Sequence, residues 1–191
     1  ALTPTLFWGL GGEVTASAYP GSWAQAEALM GSGDGAVLVL PWHEYQAYDF
    51  TAGRTVRTPA AAYFSRDVIT SESPELSGIP ASTNSPRHAY LQQVLARAAS
   101  IHHLGRLVAP LGVQYVLVTT TTADPELPSW LDDQTDLHEV LRTDDLVLYE
   151  NTVAGTGRVG GMCTVTSVGE YVDLVEAGAV GTEAVVVDTA S

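Results

Sequence analysis

The sequence predicts an α/β domain: a mixed, partly parallel sheet flanked by helices, three layers deep and Rossmann-like without a nucleotide site, with a long irregular insertion. Three observations predict it. Ala36 to Leu40 and Val113 to Thr119 are continuous apolar, β-branched runs of strand length, as strands buried on both faces are. A helix-type pattern precedes each run. Short connections between each helix and its strand favour parallel pairing somewhere in the sheet.

The first helix is signalled by Pro20-Gly21-Ser22-Trp23-Ala24-Gln25, where Ser22 and Gln25 have capping-box spacing, and it runs to about Met30. Gly31-Ser32-Gly33-Asp34-Gly35 breaks it, and the Ala36 to Leu40 strand follows. From Pro41 to Ser85 the pattern becomes irregular, with Pro59, Pro74 and Pro80 among aromatic and polar residues. Loops of that length are commonly functional, so a ligand site is sought there first.

Ser85-Pro86 reads as N-cap and first helical residue. Leu91, Val94, Leu95, Ala98 and Ile101 then form the stripe of an amphipathic helix that places His102 and His103 on it, and Pro110 closes it. After the Val113 to Thr119 strand, Leu137 to Arg142 and Leu146 to Glu150 flank Thr143-Asp144-Asp145 as a hairpin. Val159 to Thr166 is a further strand, Ser167 with Glu170 caps a helix ending near Gly178, and Ala184 to Val187 is the last strand. The reading is one domain over residues 1–191, with a small appended subdomain as an option at about 152–191.

Composition sets limits on function. The 191 residues are 46% hydrophobic and 16% charged, the balance of a folded protein rather than a disordered one. All eight basic residues are Arg, and 22 carboxylates give a net charge of -14, which repels phosphate backbones and argues against nucleic acid as a partner. Cys163 is the only cysteine, so neither an internal disulfide nor a thiolate metal cluster can form, and its apolar neighbours predict a buried structural thiol. No signal peptide and no apolar run of about 18 residues is present. The start at Ala1 reads as that of an excised or processed piece, with membrane segments expected outside it.

Each chemical motif lacks its context. Gly155, Gly157 and Gly160 match G-x-G-x-x-G, but Met162 to Thr166 reads as strand where a phosphate-binding helix should begin. Gly9-Leu10-Gly11-Gly12 and the Gly31 to Gly35 run read as turns, and no P-loop lysine or nucleophile elbow occurs. His102 and His103 are adjacent, with His88 far upstream, which suits no shared metal. Asp132, Asp133 and Asp136 read as a solvated acidic loop lacking EF-hand spacing. No cofactor, metal or catalytic residue is therefore assigned.

Pro41-Trp42-His43-Glu44-Tyr45 follows directly on the first buried strand, and ligands of α/β sheets bind beyond strand carboxyl ends. The candidate ligand residues are Trp42 and Tyr45 to stack on a sugar face, His43 and Glu44 for hydroxyls, and Arg54 and Arg57 for a phosphate. The alternative for this segment is a tryptophan capping the core with an ordinary polar loop behind it.

Three stretches together resemble one family: Phe7-Trp8-Gly9-Leu10-Gly11-Gly12 leading to Tyr19-Pro20 and Trp23; Val37-Leu38-Val39-Leu40-Pro41-Trp42-His43-Glu44-Tyr45; and Leu111-Gly112-Val113-Gln114-Tyr115-Val116-Leu117-Val118 followed by Leu146-Val147-Leu148-Tyr149-Glu150-Asn151. They are similar to the soluble region that follows the membrane helices in bacterial multi-pass proteins of the GT-C glycosyltransferase type, the YfhO-like group included. The resemblance spans Phe7 to Asn151 and leaves the remainder unmatched.

It implies an extracytoplasmic accessory domain of a membrane glycosyltransferase of envelope glycan or lipid synthesis, non-catalytic in isolation. Its partners would be membrane helices of the same polypeptide and a glycan or polyprenyl-phosphate sugar. Catalytic carboxylates of that superfamily are expected between membrane helices, so none is carried over to this chain. Two other classes stand beside it: a free-standing small-molecule enzyme or nucleotide-binding α/β protein, and a structural protein-interaction domain.

Overall fold

The structure, a computed structural model, describes residues 17–73, 85–126, 128–153 and 162–181 and the backbone of 184–187. Strand β1 (Ala36–Leu40) lies between two parallel neighbours, β4 (Val68–Ile69) and β5 (Val113–Thr119). Beyond β5 the sheet turns antiparallel, through β7 (Leu146–Asn151) to β6 (Leu137–Arg142), giving the order β4-β1-β5-β7-β6. The mixed, partly parallel sheet expected from the sequence is present.

The continuous apolar runs are explained by two cores. Side chains alternate across a strand, so a strand covered on both faces must be apolar at every position. Leu38, Leu40, Val116, Val118 and Val147 face one cluster, with Leu91 and Val94 from α3 (Pro86–Leu95), Leu104 and Leu107 from α4 (Leu104–Val108), and Tyr171 and Val175 from α5 (Val168–Glu176). Val37, Val39, Leu117, Leu146 and Leu148 face the other, with Trp23, Ala26 and Met30 from α1 (Gly21–Met30) and Ala60 of the short α2 (Ala60–Tyr63). Trp23 is central there, stacked on Phe64 at 5.2 Å and edge-on to Tyr63 at 5.3 Å.

The helix starts divide into those the sequence placed and one it misplaced. Ser85 accepts from the His88 amide at 3.3 Å with Pro86 at the first turn, and Ser167 accepts from the Glu170 amide at 3.1 Å. Helix α1 instead has Pro20 at its N-cap, and Ser22 lies inside the helix. Its hydroxyl donates to Asp145 on the β6–β7 turn at 2.6 Å, a tertiary bond in place of the cap in which it would have accepted from a backbone amide.

The segment from Pro41 to Ser85 is more regular than expected. Its described part contains a hairpin of β2 (Tyr45–Ala47) and β3 (Thr55–Arg57), then α2 and β4. Arg66 anchors the approach to β4: its guanidinium donates to the carbonyls of Met30 at 2.6 Å and Gly35 at 3.0 Å and to Gln114 at 2.7 Å, and lies 5.0 Å from the Tyr115 ring centroid. A Cβ at Gly35 would lie 2.1 Å from the Gln114 side chain, which would have to move from its place beside Arg66. The periodic stripe from Leu91 to Ile101 does not form one helix either. α3 stops at Leu95, a 3-10 turn covers Ala98–Ser100, and α4 starts at Leu104.

His102 and His103 accordingly leave the predicted helix and sit in the connection before α4. Their amides donate to Glu176 of α5 at 3.1 Å, and their Nδ1 atoms lie 3.4 and 3.3 Å from its Oε2. The next amides are also capped by side chains: Leu104 by Gln134 at 2.8 Å, Gly105 and Arg106 by Asp136 at 2.9 and 2.7 Å. Asp136, read from the sequence as part of a solvated loop, is buried because these otherwise unsatisfied amides need an acceptor. Asp132 does stay near the surface, 3.1 Å from Arg142.

After β7, β8 (Met162–Val165) and β9 (Ala184–Val187) form a separate parallel pair joined through α5. Cys163 is partly buried and packs against the first core cluster, short of the full burial expected of it. The glycines at 155, 157 and 160 and those at 9, 11 and 12 lie outside the described residues. No helix among the described residues is long and apolar enough to cross a membrane.

Candidate functional site

Parallel pairing brings the carboxyl ends of β1 and β5 to the same edge, with Leu40 in register with Val118. A cavity of about 300 Å³ opens at this edge. Leu40, Pro41, Trp42 and His43 form one wall, Leu95 and Ala98 close it from the end of α3, and Asp124, Glu126, Pro128 and Trp130 come from the β5–β6 connection. Its volume is at the lower end of the roughly 300–1,000 Å³ typical of small-molecule sites, and its lining follows their pattern of apolar walls with a few polar groups.

The walls are held by side-chain hydrogen bonds to backbone. Gln46 donates to the carbonyls of Pro41 at 3.0 Å and His43 at 3.2 Å, and Thr58 donates to those of His43 and Glu44, both at 3.2 Å. The hairpin thus fixes the shape of the Pro41 to Glu44 turn. On the opposite side Thr122 ties the β5–β6 connection to the Ala47 carbonyl at 2.8 Å, and Asp124 forms a closed turn with Thr121 at 3.0 Å. Gln134 holds the Trp130 carbonyl at 3.0 Å.

Both indoles are partly buried and pack against the first core cluster. Trp42 packs against the core with its ring 5.1 Å from the His88 ring, and its buried Nε1 has no hydrogen-bond partner among the described residues. Trp130 is partly exposed on the connection. Asp124 and Glu126 are exposed at the rim. A second, smaller cavity of about 50 Å³ lies near Trp23, Tyr48, Phe50 and Asp145. Burial pushes the Tyr48 hydroxyl up from its ordinary pKa, and the hydroxyls of Thr58 and Thr119 offset part of that rise.

Of the residues singled out in the sequence, Trp42 and His43 line the large cavity, whereas Glu44, Tyr45, Arg54 and Arg57 are not among its lining residues. Arg57 lies 3.3 Å from the Glu44 carboxylate, and Tyr45 faces Arg57 across the hairpin. Sequence reasoning missed Asp124, Glu126 and Trp130. The same rule about strand carboxyl ends, applied to Thr119 as it was to Leu40, points to them. Among the described residues no cluster of His, Cys, Asp or Glu has metal-binding geometry.

The fold is that of an α/β module with a cleft at the carboxyl ends of its central parallel strands. No family model and no curated protein matches the chain. Its fold is similar to part of a solved structure of the arabinofuranosyltransferase AftD from Mycobacteria, in a mutant form, with a TM-score of 0.58 at 15% identity. The match covers 86% of this chain and 16% of that one. Two further structures of AftD match with TM-scores of 0.47 and 0.48, each at 18% identity and over 12% of the longer chain. The chain therefore spans well under a fifth of the transferase it resembles.

Proposed function

We propose that this chain is a soluble module of a membrane glycosyltransferase, placed on the extracytoplasmic side and packed beside membrane helices of the same polypeptide. In this reading the module performs no transfer itself. Its cleft at the ends of β1 and β5 contacts the glycan on which the transferase acts.

The observation that carries the reading is the fold shared with a segment of AftD, an arabinofuranosyltransferase. The cleft supports it: an indole on each of two walls offers flat apolar surface to the C–H face of a sugar ring, and the rim carboxylates offer acceptors to hydroxyls. The solved likeness is to an arabinofuranosyltransferase rather than to a YfhO-like protein, so arabinan is the first acceptor to try.

The test is sugar transfer from a polyprenyl-phosphate donor to an arabinan or mannan acceptor in membranes carrying the complete polypeptide. Transfer is expected, with Trp130→Ala raising the acceptor KM several-fold and leaving the donor KM unchanged. Absence of transfer to either acceptor, or a Trp130→Ala variant with unchanged kinetics, overturns the reading.

A further inference from the structure

We infer that the cleft between the β1 and β5 ends accepts an unphosphorylated sugar unit and rejects sugar phosphates, so that it serves the acceptor glycan and not the phosphate-linked donor. The inference rests on the glycan-contacting role proposed above and narrows it to one substrate class. It is carried by the charge of the lining and by where the arginines go.

Asp124 and Glu126 are the two acidic groups of the cleft, both exposed at its rim, and no arginine is among the described lining residues. Among the described residues neither carboxylate is in an ion pair with an arginine. Five of the described arginines are committed elsewhere. Arg57 pairs with Glu44, Arg87 with Asp67, Arg97 with Asp173 and Arg142 with Glu139, while Arg66 is spent on backbone carbonyls and Gln114. The net charge of -14 extends the same field over the whole chain.

A phosphate needs the reverse arrangement: guanidinium or ammonium groups, or a fan of free amides at a helix start. The amides of residues 102–106 are already taken by Glu176, Gln134 and Asp136. A neutral sugar has hydroxyl donors for the two carboxylates and an apolar face for Trp42 and Trp130. Hydrogen bonds to ionised acceptors are roughly twice as strong as neutral ones, so the acidic rim favours hydroxyl donors, and the same charges repel phosphate.

A matched pair of probes separates the two, an arabinan tetrasaccharide and the same tetrasaccharide carrying one terminal phosphate, titrated against the 191-residue chain by ligand-observed NMR. The neutral probe is expected to bind saturably and at least tenfold more tightly than its phosphorylated partner at low salt. Asp124→Asn combined with Glu126→Gln should narrow that gap at least threefold, and Trp130→Ala should remove binding of the neutral probe while the fold, followed by circular dichroism, is kept. Equal or tighter binding of the phosphorylated probe, or a gap unchanged in the double variant, overturns the inference. Failure of both probes to bind also overturns it, and the membrane transfer assay, which reads the complete polypeptide, then decides the glycosyltransferase reading separately.

Discussion

Asp136 and Gly105 meet at the start of α4, where the carboxylate accepts from the glycine amide at 2.9 Å and the backbone packs so closely that a Cβ on Gly105 would lie 2.8 Å from the Asp136 carboxyl carbon. On the other side the same Cβ would meet the Asn151 Oδ1 at 2.5 Å, while the Asn151 amide donates to the Gly105 carbonyl at 2.8 Å. This glycine is the point at which β6, β7 and α4 are joined. Gly105→Ala should therefore destabilise by about 1–3 kcal/mol, the usual cost of overpacking. Asp136→Ala should cost about as much, because two amides lose their acceptor. Urea denaturation followed by tryptophan fluorescence checks both, and a Gly105→Ala variant as stable as the parent contradicts this packing.

The pH dependence of stability contains a term from Glu176. Burial raises its carboxyl, but the amides of His102 and His103 and the His103 imidazole outweigh that and hold it below its ordinary value. A carboxyl with a lowered native pKa stabilises the fold fully above its unfolded pKa of about 4.3, and that contribution disappears as pH falls through the lower native value. Asp136 acts with the opposite sign: burial raises its carboxyl, so between its unfolded and native values stability falls as pH rises. Comparing the parent with Glu176→Gln isolates the first term. The variant should be less stable at pH 7 by about 1–2 kcal/mol, as for loss of hydrogen bonds to a charged group, and the difference should shrink in thermal melts taken below pH 4. A difference independent of pH contradicts the assignment.

Arg66 is a structural cation. Its fork donates to the carbonyls of Met30, Gly31 and Gly35 and to Gln114, joining the end of α1, the turn before β1 and the start of β5. Lysine keeps the charge and loses the fork. Arg66→Lys should therefore lower stability by about 1.5–3 kcal/mol, the scale of charge-assisted hydrogen bonds, and should do so nearly independently of salt because geometry and not long-range charge is lost. Chemical denaturation at low and high sodium chloride tests both parts.

Trp23 and Trp130 separate stability from binding. Trp23 is 1% exposed at the centre of the aromatic cluster, and Trp23→Ala should cost about 3–5 kcal/mol. Trp130, only partly buried on the cavity wall, should cost less when truncated and change ligand binding as well. Melting temperatures of the two variants beside a glycan titration show which tryptophan serves which purpose.

The local pattern of residues determined much of this fold. The β1 and β5 spans, the β6–β7 hairpin, the Ser85 and Ser167 caps and the last strand were legible because each depends on nearest neighbours in sequence: continuous β-branched runs, a polar turn between strands, a hydroxyl three residues before an amide. The wall of the cleft from Trp42 to His43 was legible for one further reason, that chains leaving parallel strands at their carboxyl ends gather at one edge. Tertiary structure decided the rest. Ser22 gave up capping for Asp145, the helix expected through His102 broke so that two histidine amides could reach Glu176, and Asp136 was buried to satisfy amides about 30 residues away in sequence. The second wall of the cleft, with Asp124, Glu126 and Trp130, belongs to this group. The strand-end rule applied at Thr119 points toward it, but that it faces Trp42 across one cleft follows from β5 pairing directly beside β1, a long-range contact that local pattern does not specify.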